Sequence, residues 1–154
     1  MLKSVILSYL LWASFLCSGQ VIEKKASNLD SCREYNAFYY QVGGKYPESS
    51  VTTLENVHTF LKTKHHSYSG SGYITFRFIV NCNGEIRRES LEVLQIDAKY
   101  IHSLFDKEFV VEITEFLFGL KKWHVPKDKK GFPFSYKAFL SFKIQNGKIV
   151  NIIP

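Results

Sequence analysis

Two stretches of the chain alternate apolar and polar residues with the two-residue period of a β-strand. In residues 73–80 the even-numbered positions are apolar, and Thr75 and Arg77 lie between them. Residues 136–145 repeat the pattern, with polar residues at most odd-numbered positions. Alternation of this kind buries one face of a strand and leaves the other towards solvent. We therefore predict two half-buried strands.

An Asn-Gly dipeptide follows each predicted strand. The two dipeptides are Asn83-Gly84 and Asn146-Gly147. Both residue types tolerate positive φ, which makes this a strong hairpin signal, so we expect return strands at residues 85–96 and 148–153. In the first return strand the apolar positions change from even to odd. A β-bulge within residues 87–90 would accommodate that change.

Two helices are predicted from apolar residues spaced three and four apart. The first covers about residues 50–62 and carries a capping box of Thr52 and Glu55. The second follows a capping signature at residues 103–106 and ends at Gly119. Its apolar stripe comprises Phe105, Phe109, Ile113, Phe116, Leu117 and Leu120.

These elements predict an α+β fold. A small antiparallel sheet of three to four strands would pack against one long helix, with a shorter helix before it. Residues 31–42 are rich in tyrosine, and their periodicity fits neither helix nor strand. The length of 154 residues suits one domain and a leader.

Residues 1–19 have the pattern of a secretory signal peptide. A lysine near the start precedes an apolar run at residues 5–16, which is too short to span a bilayer comfortably. Small residues then lead to Gln20, before which we expect cleavage. Two alternatives stay open: lipidation of Cys17 and a retained anchor. Lipidation is the less expected, because Leu16 stands where a lipobox has Gly, Ala or Ser.

Residues 20–45 are interpreted as an N-terminal lead-in tied to the rest of the chain by a disulfide. Cys32 and Cys82 are the cysteines that remain after cleavage, and an exported chain usually oxidises such a pair. The bond would close a loop of about 50 residues and stabilise the fold by roughly 4 kcal/mol on the chain-entropy model. Two buried free thiols are the alternative.

The chain is moderately basic. Its net charge is +6, and the leader holds one lysine and no acid, so the remainder carries +5. Such a charge favours an anionic partner, for example an envelope polymer, and nucleic acid is not expected for an exported chain. Five lysines flank Trp123 as candidates for this contact: Lys121, Lys122, Lys127, Lys129 and Lys130. The alternative is a solvated loop around a core tryptophan.

The residue types of catalytic and metal sites occur without the spacing that such sites need. His65 and His66 are adjacent, but no third ligand lies at helical or strand spacing, so we expect no metal and no cofactor. Cys82 has no flanking thiol-enzyme motif. Three acidic residues of the second helix are expected on its solvated face: Glu108, Glu112 and Glu115. Without a nucleophile elbow, a P-loop or a dinucleotide fingerprint, we predict that the protein is not an enzyme.

Six short motifs within residues 46–153 resemble, in order and spacing, the C-terminal domain of TonB, the periplasmic energy transducer of Gram-negative outer-membrane transport. They are Tyr46-Pro47 before the first helix, Gly72 at the first strand, Asn83-Gly84 in the hairpin at residues 81–86, residues 104–108 at the helix start, Trp123 and Pro126 in a basic Trp-x-x-Pro signature, and a final strand at residues 139–149 that contains Asn146-Gly147.

The resemblance implies a module that binds an outer-membrane receptor. In this family an extended receptor segment adds as a strand to an edge of the sheet, where unpaired backbone groups are available. The edge implied here is residues 136–145, with partner-binding residues Tyr136, Lys137, Phe139, Ser141, Lys143 and Gln145. The alternative is that lysines on an edge only prevent aggregation. An open edge would also permit a homodimer through the final strand.

The chain departs from the transducers, because the long spacer rich in Pro, Lys and Glu is absent. It resembles instead the stand-alone secreted domains of Bacteroidetes. We therefore expect residues 46–154 to form that domain in the periplasm or outer envelope of a Gram-negative bacterium. Two other functions stay open: a small secreted enzyme or inhibitor, which a pocket joining His and Glu would favour, and a structural envelope lipoprotein, which palmitate labelling at Cys17 would test.

Overall fold

The computed structural model describes residues 32–154. The predicted signal peptide, Cys17 and the start of the lead-in lie outside the described residues. Eight elements follow in chain order: β1 (Arg33–Phe38), α1 (Tyr39–Val42), α2 (Ser50–Lys62), β2 (Gly72–Val80), β3 (Glu92–Asp97), α3 (Lys107–Gly119), β4 (Phe134–Gln145) and β5 (Lys148–Ile153). No helix of residues 32–154 is long and apolar enough to cross a membrane.

The strands form one five-stranded sheet around β4. β2 pairs antiparallel with β4 on one side and with β3 on the other, which gives the order β4-β2-β3. The opposite side of β4 carries β1, in parallel, and β5, antiparallel, one after the other along its length. The predicted α+β class is confirmed. The sheet has five strands rather than three to four, and one pair is parallel.

The core lies between one face of this sheet and the helices. The even-numbered residues of β2 and β4 are buried there, as their alternation predicts. From the helices the buried apolar members are Val57, Phe109, Ile113, Phe116 and Leu117. Each large side chain fully removed from water contributes about 1.5–3 kcal/mol before entropy is counted, so this cluster is the main source of stability.

Both long helices begin at caps that differ from the predicted ones. α2 has the predicted bounds, but the Ser49 hydroxyl caps it by accepting a hydrogen bond from the Thr52 amide at 3.1 Å. α3 starts after Asp106, whose carboxylate accepts from the Glu108 amide at 2.8 Å. The predicted capping box at Thr52 is therefore wrong, because the helix begins before it. A carboxylate at the start of α3 also faces the positive end of the helix dipole.

Both predicted turns are present, but the chain leaves them differently. Asn146 and Gly147, with φ of 50° and 71°, join β4 directly to β5. After Gly84 the chain makes one bridge to β2 and a 3₁₀ turn at Arg88–Ser90 before β3 begins. That turn replaces the β-bulge predicted at residues 87–90. By interrupting the strand, it accommodates the change of the apolar residues from even-numbered to odd-numbered positions.

The predicted disulfide between Cys32 and Cys82 is present, with Cα atoms 5.6 Å apart. It joins the start of β1 to the segment that follows β2. Residues 33–42 form β1 and the single turn α1, so part of the predicted lead-in belongs to the sheet. The crosslink therefore holds a strand against β4 in addition to closing a loop.

Candidate functional site

β4 was the predicted docking edge, and it lies inside the sheet. On one side it pairs with β2 from Tyr136 to Ile144. On the other side it pairs with β1 as far as Lys137 and with β5 from Ser141 onwards. The prediction of an open edge at residues 136–145 is therefore wrong. The turn before β5 folds the chain back onto β4, and β1 arrives from a distant part of the sequence.

The six residues predicted for that edge have separate environments. The buried Tyr136 donates its hydroxyl hydrogen to the His124 carbonyl oxygen at 2.9 Å. The hydroxyl of Ser141 lies 2.7 Å from that of Thr75 on β2. The other four are Lys137, Lys143 and Gln145, which are exposed, and Phe139, which is half-buried. They do not share a free backbone edge, so strand addition needs another place.

The margins of the sheet differ in how they are covered. Along β5, the His58 side chain of α2 hydrogen-bonds the Ile149 carbonyl oxygen at 2.6 Å. β1 is an outer strand, but its register is broken between Glu34 and Phe38. β3 is the other outer strand, and its pairing with β2 is unbroken over all six residues. A regular strand with one free side is the better template for an added strand.

The free side of β3 is limited to its first half. Near its end, the Asp97 amide donates to the Ile101 carbonyl at 2.8 Å and the Ser103 amide donates to the Gln95 carbonyl at 3.2 Å. The N–H and C=O groups of odd-numbered residues in β3 therefore point away from β2, and Val93 is one of these residues. Within residues 32–154 no backbone group pairs with the outward N–H and C=O of Val93, so a short stretch centred on this residue is available.

The side chains on this run are apolar and accessible. Val93 is 39% exposed and lies opposite Phe76, on the helix side of the sheet. Leu94 is 46% exposed and lies opposite Thr75, on the other face of the sheet. Glu92 forms an ion pair with Arg77 at 3.3 Å. The edge thus offers an apolar contact on each face of an incoming strand.

Two signature residues of the resemblance, Tyr46 and Gly84, contact Trp123 in the core. The Tyr46 and Trp123 rings have centroids 5.1 Å apart, and the Trp123 amide donates to the Gly84 carbonyl at 3.1 Å. A Cβ atom at Gly84 would lie 2.6 Å from the Trp123 carbonyl oxygen, and its φ is +71°, so glycine is required there. These residues hold the first hairpin against the segment after α3, which is a structural role.

The lysines around Trp123 are exposed, while the ring itself is buried with its Nε1–H donating to the Leu120 carbonyl at 3.1 Å. Asp128 organises the loop that follows by accepting hydrogen bonds from the Lys130 and Phe132 amides at 2.8 and 2.9 Å. The tryptophan thus belongs to the core, as the alternative interpretation has it. A contact of these lysines with an anionic polymer stays a prediction.

A second constellation, which the sequence did not predict, joins His66 to Glu112. The His66 Nδ1 lies 2.8 Å from the Glu112 carboxylate and 3.1 Å from the Tyr68 hydroxyl. Burial, and then the Glu112 carboxylate, raises the pKa of Tyr68. The same imidazole approaches Glu108 at 3.9 Å through Nε2. The prediction of a solvated Glu112 is wrong, since only 5% of this residue is exposed.

The sequence did carry a signal for this buried acid. Glu112 follows Phe109 by three residues and precedes Phe116 by four, which is the spacing of the apolar stripe. Its second oxygen, Oε2, is buried and has no hydrogen-bond partner among the described residues. Tyr68 stacks on Phe109 at 4.3 Å, which brings the loop of His66 onto α3.

A groove of about 580 Å³ opens beside this constellation, between α2 and the β4–β5 turn. Its walls are mainly apolar, from Leu61, Phe109 and Ile149, with His58 and His66 at the border. Within residues 32–154 no group of three or more His, Cys, Asp or Glu side chains is placed to hold a metal ion. The groove thus places an apolar surface beside an imidazole that contacts a carboxylate.

Comparison of the chain with protein-family models, with curated proteins and with solved structures finds no match in any of the three.

Proposed function

We propose that this domain binds an extended segment of a partner protein by adding it as a strand along β3. The observation that carries the proposal is the outer side of β3 around Val93, which no strand of residues 32–154 pairs with, whereas on β5 the His58 side chain of α2 takes up the Ile149 carbonyl. Backbone groups on that side supply the affinity of such a complex, and alternate side chains supply the selectivity.

The chemistry of the edge describes the partner segment. Val93 and Leu94 favour apolar side chains at the positions that face them. Glu92 and Arg77 neutralise one another at the start of the edge, so a strongly charged segment gains nothing there. An uncharged, apolar stretch of three to four residues is the segment that fits.

The resemblance to TonB C-terminal domains supports the kind of partner, which is the extended end of an outer-membrane transport receptor. The Cys32–Cys82 disulfide is compatible with an exported protein, since such bonds persist in oxidising compartments. The proposed site differs from the edge that the resemblance implies, because β1 and β5 already occupy both parts of that side of β4.

A peptide titration followed by amide NMR tests the proposal. Peptides from receptor N-termini are expected to shift the amides of residues 92–95. Val93→Pro removes an outward N–H while it leaves the β2 pairing in place, so it should weaken binding at least about tenfold. Lys143→Ala, at an exposed position of β4, serves as the control. If both variants bind the peptides equally well, the binding site does not lie on β3.

The His66–Glu112 contact favours a second candidate, a small enzyme that uses His66 as a general base oriented by Glu112. It ranks second because, in the described part of the chain, His66 is hydrogen-bonded to no Ser, Thr or Cys that could act as nucleophile. Hydrolysis of p-nitrophenyl esters tests it. Activity that His66→Gln abolishes and His65→Gln preserves would support the enzyme, and equal rates in both variants would reject it.

A further inference from the structure

A small cavity lies on the far side of β4 from the β3 edge. Its volume is about 190 Å³, and it opens where α1 and the start of α2 approach the middle of β4. β1 ends its pairing at Lys137 and β5 begins at Ser141, so Phe139 has no strand neighbour on this side. The interruption between the two strands creates the cavity.

Four aromatic residues contribute to the wall. Phe139 meets Tyr39 edge to face, with centroids 5.2 Å apart and an interplanar angle of 88°. Opposite them Tyr46 and Trp123 pair at 5.1 Å and 48°. All four residues line the cavity. Faces of aromatic rings carry negative electrostatic potential, which attracts a cation brought close to them.

One carboxylate lies at the rim. Glu48 lines the cavity and accepts a hydrogen bond from the Asn56 side-chain amide at 2.9 Å, which holds it in place. Burial, and then the charge of Glu48, raises the pKa of the Tyr46 hydroxyl, so that the phenol stays neutral beside the carboxylate. A cation in the cavity would therefore meet a fixed countercharge as well as ring faces.

Within residues 32–154 no cationic side chain makes a cation–π contact with these four rings. Lys45 also borders the cavity, but the cation–π contacts within residues 32–154 are made elsewhere, by Arg33, Lys64 and Arg88. Lys45 is exposed, and its own backbone carbonyl accepts from the His124 amide. It is available to pair with an anionic group on the outer end of a ligand.

We propose that this cavity binds a small quaternary ammonium compound, with the ammonium group among Tyr39, Tyr46, Trp123 and Phe139 and beside Glu48. A quaternary ammonium has no N–H to satisfy, so apolar ring faces suit it, whereas a primary ammonium would lose hydrogen bonds to water. An anion is disfavoured by Glu48. The site is independent of strand addition at β3, since β4 and β2 separate the two places.

Choline and its neutral isostere 3,3-dimethylbutan-1-ol test the proposal, because they share a shape and differ in charge. Titrations of the purified protein would follow the Trp123 indole N–H and the Tyr46 ring by NMR. Choline is expected to shift both signals and to bind about tenfold more tightly than the alcohol, as a desolvated cation–π contact allows. Equal affinity of the two compounds would overturn the proposal, and so would the absence of shifts with choline.

Variants assign the effect to the cavity. Glu48→Gln should weaken choline about fivefold and leave the alcohol unchanged, whereas Glu55→Gln, on the exposed face of α2, should change neither. Phe139→Leu keeps an apolar wall without a ring face and should also weaken choline. If Glu48→Gln and Glu55→Gln behave alike, the carboxylate has no part in binding and the assignment fails.

Discussion

His58 on α2 hydrogen-bonds the backbone carbonyl oxygen of Ile149 on β5, with Nε2 2.6 Å from the oxygen. A carbonyl can only accept, so Nε2 carries the hydrogen. The side chain therefore takes up one backbone acceptor on the outer side of β5. In the described part of the chain, Val93 on β3 has no corresponding partner on its outer side.

His58→Ala should uncover the outer side of β5. We expect a loss of about 1 kcal/mol in the free energy of unfolding, because the Ile149 carbonyl loses its partner. We also expect concentration-dependent dimers, since a free edge accepts another strand. Denaturant unfolding and sedimentation velocity measure the two effects. His102→Ala is the control, and identical behaviour of both variants would show that His58 does not protect the edge.

Removal of the disulfide should release β1 as well as destabilise the domain. Cys32 and Cys82 are 50 residues apart, so the double Ser variant should lose roughly 4 kcal/mol on the chain-entropy model. Hydrogen exchange should rise first in residues 33–38, which are then held by β4 and by the ion pairs of Arg33 with Asp128 and of Glu34 with Arg87. Uniform loss of protection across the sheet would contradict a local role for the crosslink.

His66→Ala should lower the free energy of unfolding by more than the His66–Glu112 hydrogen bond contributes, because it leaves Glu112 buried without a hydrogen-bond partner. We expect a loss of about 2 kcal/mol in unfolding free energy. The double variant that combines His66→Ala with Glu112→Met lacks the buried carboxyl group, so it should recover most of the lost unfolding free energy. A double-mutant cycle measures the coupling. Strict additivity of the two substitutions would mean that the pair does not interact.

Asp128 gives the fold an acid-sensitive loop. The amide of Phe132 chiefly, then that of Lys130 and the charge of Arg33, lower the pKa of this carboxyl. A lowered pKa means that stability from Asp128 is present above its unfolded pKa and is lost as pH falls through the folded value. Asp128→Asn should therefore differ from the parent in thermal unfolding at pH 7 and match it near pH 2. A constant difference at both pH values would exclude this role.

Local patterns predicted the elements that depend on neighbouring residues. The bounds of α2, the buried faces of β2 and β4 and the turn at Asn146 follow from periodicity and from the φ that a turn needs. The pairing of β4 did not follow, because β1 joins it across about one hundred residues of sequence and shows no alternation. The strand β4 was therefore predicted, but the prediction that it forms an open edge was wrong.

The candidate functional surfaces also divide into features that local sequence predicts and features that depend on distant residues. Glu112 could have been predicted as buried, since it falls on the apolar stripe of α3. Its contact with His66 could not, because a loop between α2 and β2 supplies the imidazole. The aromatic cavity depends on where two strands stop along β4, and no local pattern at Tyr46 or Phe139 records that.

Site-specific photocrosslinking in the native envelope tests strand addition at β3 most directly. A photoreactive residue would replace Val93 in one variant and Lys137, an exposed residue of β4, in the other. We predict that the Val93 variant crosslinks to the extended end of an outer-membrane receptor, identified by mass spectrometry, and that the Lys137 variant does not. Receptor crosslinks from Lys137 alone, or from neither position, would contradict the account.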